Sequence, residues 1–128
     1  MFSATIENRG DSRAFATTKT GEFVMDTAGS GANPIDTLLA SLAGCLNHQL
    51  RDCFSTHRIA SSGFGIRTEA ELTADQSRLA DIAVVIDLKD TAVNAENEPL
   101  VMASVRACKI YQTLSANSKI SVILERKR

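Results

Sequence analysis

The first 27 residues alternate in character. Phe2, Ala4 and Ile6 are separated by polar neighbours, and Thr20-Gly21 marks a turn before Glu22-Phe23-Val24-Met25-Asp26. A period of two, broken at short intervals, predicts three short strands. Ala28-Gly29-Ser30-Gly31-Ala32 has little side chain to pack and reads as a loop that changes direction. The period then changes. Leu38, Leu39, Leu42, Leu46, Leu50, Cys53 and Phe54 recur at three- and four-residue steps, which predicts a helix of about 20 residues, roughly 30 Å long. Its start is well marked. Asn33 is a favoured N-cap, Pro34 suits the first helical position, and Asp36 brings a carboxylate to the unpaired amides of the first turn.

Ser61-Ser62-Gly63 ends that region. Phe64–Thr73 and Leu79–Lys89 carry alternating, β-branched patterns around the polar turn Ala74-Asp75-Gln76-Ser77-Arg78, which predicts two longer antiparallel strands. Asn94–Glu98 reads as a linker, and Pro99 opens a second helix. Its apolar stripe runs Val101, Val105, Cys108, Tyr111 or Gln112, and Leu114, with Asn117 as its C-cap. Ile120-Ser121-Val122-Ile123-Leu124 closes the pattern as a last strand. The order β-β-β-α-β-β-α-β predicts an α+β fold. No composition break or internal repeat divides it, so residues 1–128 read as one domain.

Composition narrows the function classes. Hydrophobic residues make up 44% and charged residues 23% of the chain, an ordinary globular balance. The 14 basic residues are dispersed among 15 acidic ones, so no broad positive field attracts a phosphate backbone, and nucleic acid is not an expected partner. Arg126-Lys127-Arg128 is the one local basic run and reads as a solvated end. The first residues lack the apolar run of a signal peptide and no stretch reaches transmembrane length, so the expectation is a cytoplasmic protein without a membrane partner.

The odd count of three cysteines argues against a stapling framework and leaves packing, metal or redox chemistry as their uses. Cys53 falls in the apolar stripe of the first helix and reads as a small core residue. Cys45 follows Ala43-Gly44, a run of small side chains in mid-helix. A glycine there costs about 1 kcal/mol of helix propensity, and it leaves room for another backbone or a substrate beside the sulfur. Cys108 lies between Arg106 and Lys109, whose charges favour the thiolate, although its place on the stripe also fits a packing role. His48 is three residues from Cys45 and within reach of it on a helix surface. One Cys-x-x-His supplies two ligands, too few for a tetrahedral zinc site, so no metal is expected. Gly63-Phe64-Gly65 precedes a strand rather than a helix, so it is not a phosphate loop.

Gly31-Ala32-Asn33-Pro34 followed by Leu38-Leu39-Ala40-Ser41-Leu42-Ala43-Gly44-Cys45 resembles the OsmC/Ohr family, whose first long helix opens with Asn-Pro and carries a cysteine after small residues. Ala107-Cys108-Lys109-Ile110-Tyr111-Gln112-Thr113-Leu114 lies where that family has its second cysteine, and the likeness extends over nearly the whole chain. The resemblance implies two central helices wrapped by antiparallel sheet and an intertwined homodimer with active sites at the subunit interface. It also implies a thiol-dependent peroxidase, with Cys45 attacking an organic hydroperoxide and Cys108 resolving the sulfenic acid as a disulfide. No cofactor is needed for that chemistry, and an external dithiol reductant completes the cycle.

Three positions depart from the family's peroxidase pattern. Ile35 stands where a glutamate usually follows Asn-Pro, Lys109 stands where a proline often follows the second cysteine, and Arg9 and Arg13 both compete for the role of the supporting arginine. The sequence therefore looks more like the broad OsmC-like group than the dedicated organic hydroperoxide resistance branch. The competing expectation is a non-catalytic OsmC-like dimer that binds a small apolar ligand.

Overall fold

A computed structural model describes residues 1–29, 31–116 and 119–125. Asn117, the expected C-cap, and the basic run at 126–128 lie outside the described residues. The chain divides into two compact units. One comprises Met1–Ala43 with Arg67–Val85, and the other comprises Gly44–Ile66 with the chain from Ile86 onward.

The first unit holds the three predicted strands, β1 (Ala4–Glu7), β2 (Arg13–Thr18) and β3 (Glu22–Asp26), in an antiparallel sheet of order β1-β2-β3. Ile6 pairs with Ala16, and Ala16 with Phe23. Local side chains close the turns. The Asn8 amide donates to the Asp11 carbonyl at 2.8 Å, and the Gly21 amide donates to Thr18 Oγ1 at 3.1 Å. At the end of β3, the buried Asp26 carboxylate accepts from Ser12 Oγ and from the Ala28 amide, both at 2.8 Å.

Helix α1 (Pro34–Thr56) begins where the capping signals put it. Asn33 Oδ1 accepts from the Asp36 amide at 2.8 Å, satisfying one of the amides that have no partner within a helix's first turn. The helix spans 23 residues, about 34 Å at ~1.5 Å per residue. In the first unit its Leu39 carbonyl accepts from Thr68 Oγ1 of strand β4 (Gly65–Leu72) at 2.9 Å. Strand β5 (Leu79–Asp87) pairs with β4 across the predicted polar turn, where the Thr73 amide donates to the Arg78 carbonyl at 2.9 Å.

In the second unit Leu46, Leu50, Cys53 and Phe54 of α1 are buried together with Ile59, Val101, Val105 and Cys108. This is the stripe that the leucine spacing marks. Two polar contacts fix α1 against α2 (Glu98–Arg106): Ser104 Oγ donates to the Gln49 carbonyl at 2.9 Å, and the Cys53 thiol faces the Leu100 carbonyl at 3.8 Å. Cys53 is thus a core residue, as its spacing predicts.

The structure departs from the sequence reading in two elements. The single helix expected to open at Pro99 and run to a cap at Asn117 is broken: α2 ends at Arg106, Cys108 is extended (φ −61°, ψ 128°), and a short α3 (Lys109–Ser115) follows. The break is compensated locally. Cys108 Sγ accepts from the Tyr111 amide at 3.5 Å, and the Gln112 side-chain amide donates to the Arg106 carbonyl that the break sets free. The last strand expected over 120–124 is absent, since 119–125 form neither helix nor strand. A strand requires the edge of a neighbour to pair with, and no pairing engages this segment among the described residues. Ile120, Val122, Ile123 and Leu124 are instead 78–85% exposed.

Candidate functional site

Cys45 and Cys108 both belong to the second unit. Helix α1 presents Cys45 half-buried, one residue before the fully buried Leu46, while the break between α2 and α3 places Cys108 at the start of α3 with no exposed surface. Both are free thiols, close enough that each shifts the pKa of the other. The sequence pointed to both residues, and the structure brings them together.

Their environments differ in sign. Burial by itself raises the Cys45 thiol pKa, but several contacts outweigh it and leave the thiol below its ordinary value. These are the Cys108 thiol, the backbone amides of Ile110 and Lys109, and the Lys109 charge. Cys108 is pushed up, first by burial and then by the Cys45 thiol; the Tyr111 and Ile110 amides only partly offset this. The expectation that Arg106 and Lys109 would favour a Cys108 thiolate is therefore corrected. Lys109 acts on Cys45, and desolvation dominates at Cys108.

The donors that stabilise the Cys45 sulfur are main-chain groups of α3's first turn, which the sequence reading missed. The signal for them is slight, because nothing in Ala107-Cys108-Lys109 is a strong helix breaker or a favoured cap. Gly44 also differs from expectation. A Cβ added there would meet no atom within 4 Å, so no backbone among the described residues exploits the missing side chain.

His48 is exposed and lines a shallow cleft on α1 with Arg51, Asp52 and Ser55. In the first unit, Arg9 and Arg13 are each held by a carboxylate two residues away, Glu7 and Asp11, both at 2.7 Å. Both guanidiniums also lie over the Phe15 ring, at 3.8 and 5.1 Å from its centre. Ile35, where the resemblance calls for a glutamate, is exposed on the first turn of α1. Among the described residues no group of three His, Cys, Asp or Glu side chains is placed to hold a metal ion, and no helix is long and apolar enough to cross a membrane.

The family model described as OsmC-like protein matches residues 27–123. No curated protein matches the sequence. Among solved structures, an OsmC-like protein from Mycoplasma pneumoniae superposes with a TM-score of 0.80 at 15% identity, covering 90% of this chain and 87% of that one. An organic hydroperoxide resistance protein OsmC from Legionella pneumophila, also described as a predicted redox protein, gives 0.65 at 19% identity, with 91% and 90% covered. The organic hydroperoxide resistance protein OhrB of Bacillus subtilis gives 0.61 at 19% identity, with 91% and 92% covered. At such identities the likeness establishes the α+β fold and its antiparallel sheets.

Proposed function

We propose, since this chain belongs to the OsmC-like protein family, that it is a two-cysteine thiol peroxidase that reduces organic hydroperoxides. The observation that carries this reading is the unequal thiol pair. Cys45 is partly accessible with its pKa lowered, and the Cys108 thiol that acts on it is buried with its pKa raised. Two relatives of the same fold are organic hydroperoxide resistance proteins.

The nucleophile in such chemistry is the thiolate, and a lowered pKa increases its share near neutrality. The Cys45 thiolate attacks the outer oxygen of the hydroperoxide. The O–O bond breaks, the organic part leaves as an alkoxide that takes a proton to become the alcohol, and Cys45 becomes a sulfenic acid. Cys108 stays protonated, which keeps it from competing for the peroxide. Its sulfur then attacks the sulfenic sulfur, the S–O bond breaks, water leaves with the thiol proton, and a disulfide forms. An external dithiol reduces that disulfide and restores both thiols.

The proposal includes assembly with a second copy of the chain. The support is the apolar run 120–124, exposed and without a strand partner among the described residues, which is a ready edge for β-pairing. The place is the cytoplasm, where reduced dithiols abound. The alternative reading, an apolar-ligand binder with structural cysteines, draws on exposed Ile35 and on arginines already paired with Glu7 and Asp11.

One experiment separates the two. Reduced protein is mixed with one equivalent of cumene hydroperoxide and its free thiols are counted after denaturation. The peroxidase reading expects the loss of Cys45 and Cys108 while Cys53 survives, and Cys108→Ser is expected to trap a sulfenic acid on Cys45. An unchanged count of three would eliminate the enzyme and leave the binder. Light scattering on a sizing column reads assembly separately.

A further inference from the structure

A second concave site lies on the other side of α1, within the same unit, and neither cysteine of the pair lines it. At about 100° per residue, Asn47, Arg51 and Phe54 project from the side of α1 turned away from Cys45. Their spacing, continued by Ser55, is that of one helix face. They enclose a pocket of about 440 Å³ together with Ile59, Ser61, Gly63 and Phe64, a volume within the roughly 300–1,000 Å³ usual for small-molecule sites.

The floor is apolar and fixed. Phe54 and Ile59 are buried, and the Phe54 and Phe64 rings meet edge to face at 5.4 Å. The loop that completes the wall is tied down on both sides of its turn: Ser61 Oγ lies 2.8 Å from Thr91 Oγ1, Ser62 Oγ donates to the Asp90 carboxylate at 2.5 Å, and the Ala92 amide donates to the Ala60 carbonyl at 2.9 Å. Gly63 adopts φ +138°, which side chains rarely tolerate, and a Cβ there would meet nothing within 4 Å. The rim is polar and uncommitted. Arg51 makes no ion pair among the described residues, even with Asp52 of the adjoining cleft. The side chains of Asn47 and Ser55 also take no part in the hydrogen bonds made by the described residues.

An apolar, preformed floor with a free guanidinium, an amide and a hydroxyl on one edge matches one ligand chemistry. The geometry points to a binding site for a small organic carboxylate with a flat apolar body. The body packs on Phe54, Ile59 and Phe64, and the carboxylate takes a charged hydrogen bond from Arg51 with Asn47 and Ser55 beside it. The site is independent of the thiol pair and stands or falls without the peroxidase reading.

The test uses 2-naphthoate and the neutral 2-naphthalenemethanol, titrated into the full chain and followed by calorimetry and by backbone amide shifts. Saturable naphthoate binding is expected, with shifts at Gly63 and Gly65, unchanged in Cys45→Ser. Arg51→Gln, an exposed change that leaves the core intact, is expected to weaken it at least about tenfold, the order of one charged hydrogen bond. The alcohol is expected to bind no tighter than naphthoate does to Arg51→Gln, and Asn47→Ala to give a smaller loss. Equal binding of acid and alcohol, binding that survives Arg51→Gln, or shifts centred on Cys45 and Cys108 would overturn the assignment. So would an absence of binding, the result expected if a second copy of the chain covers this face.

Discussion

Gly44 offers the sharpest test of the packing argument, because its substitution by alanine changes a single quantity. The residue lies deep inside α1, is exposed, and has open space where a Cβ would stand. Gly44→Ala therefore adds no clash and removes no contact among the described residues. What remains is helix propensity, ~0.8–1.0 kcal/mol in favour of alanine. With an unfolding entropy of roughly 2.1 cal/mol/K per residue, a chain of this length has about 0.27 kcal/mol/K at its midpoint, so Tm rises by about 3–4 °C. Thermal unfolding of the reduced protein, followed by far-UV circular dichroism with urea titration as a second measure, gives the value directly. A fall in Tm would refute the reasoning, since it requires some body outside the chain to press against Gly44. The oligomeric state of the variant would then tell whether that body is a second copy. An unchanged or raised Tm with slowed peroxide consumption would place the close approach in the reaction, one residue from the Cys45 sulfur.

Two further outcomes follow from geometry. Arg58 ends α1 in the left-handed region at φ 53°, with the Ile59 amide donating to the Phe54 carbonyl and the Arg58 amide to that of Ser55. That Schellman position favours glycine, and Arg58→Gly is expected to raise urea-unfolding stability by about 0.5–1 kcal/mol; a loss would show that the arginine side chain contributes more than its strain costs. Cys108→Ala removes the thiol whose influence helps hold the Cys45 thiol below its ordinary value, so the pH midpoint of Cys45 alkylation is expected to move upward. Cys108→Ser, which keeps an oxygen at the cap, serves as the control for α3's position, and an unmoved midpoint in the alanine variant would mean that the sulfurs do not interact.

The parts of the fold legible in the sequence are those set by local rules. Asn33, Pro34 and the leucine ladder marked α1, and the polar turn at 74–78 marked the β4 and β5 pair, because capping and periodicity act over a few residues. The parts that were not legible depend on partners distant in sequence. The alternation at 120–124 shows a taste for extended structure but not who pairs with it, and the helix at Cys108 breaks without glycine or proline because a thiol, a weak acceptor, takes the capping place. The candidate pair was legible as two residue numbers. That one sulfur is stabilised by the amides of α3 while the other is desolvated was not, since both effects arise from the break.

The sulfur of Cys108 is at once a side chain and a piece of scaffolding, because the Tyr111 amide rests on it. Any covalent change at that atom is felt immediately by the opening turn of α3, so the chain carries a built-in reporter of its own oxidation level. The Tyr111 amide resonance and its exchange with solvent read whether the thiol is intact, without a label and without touching the accessible cysteine.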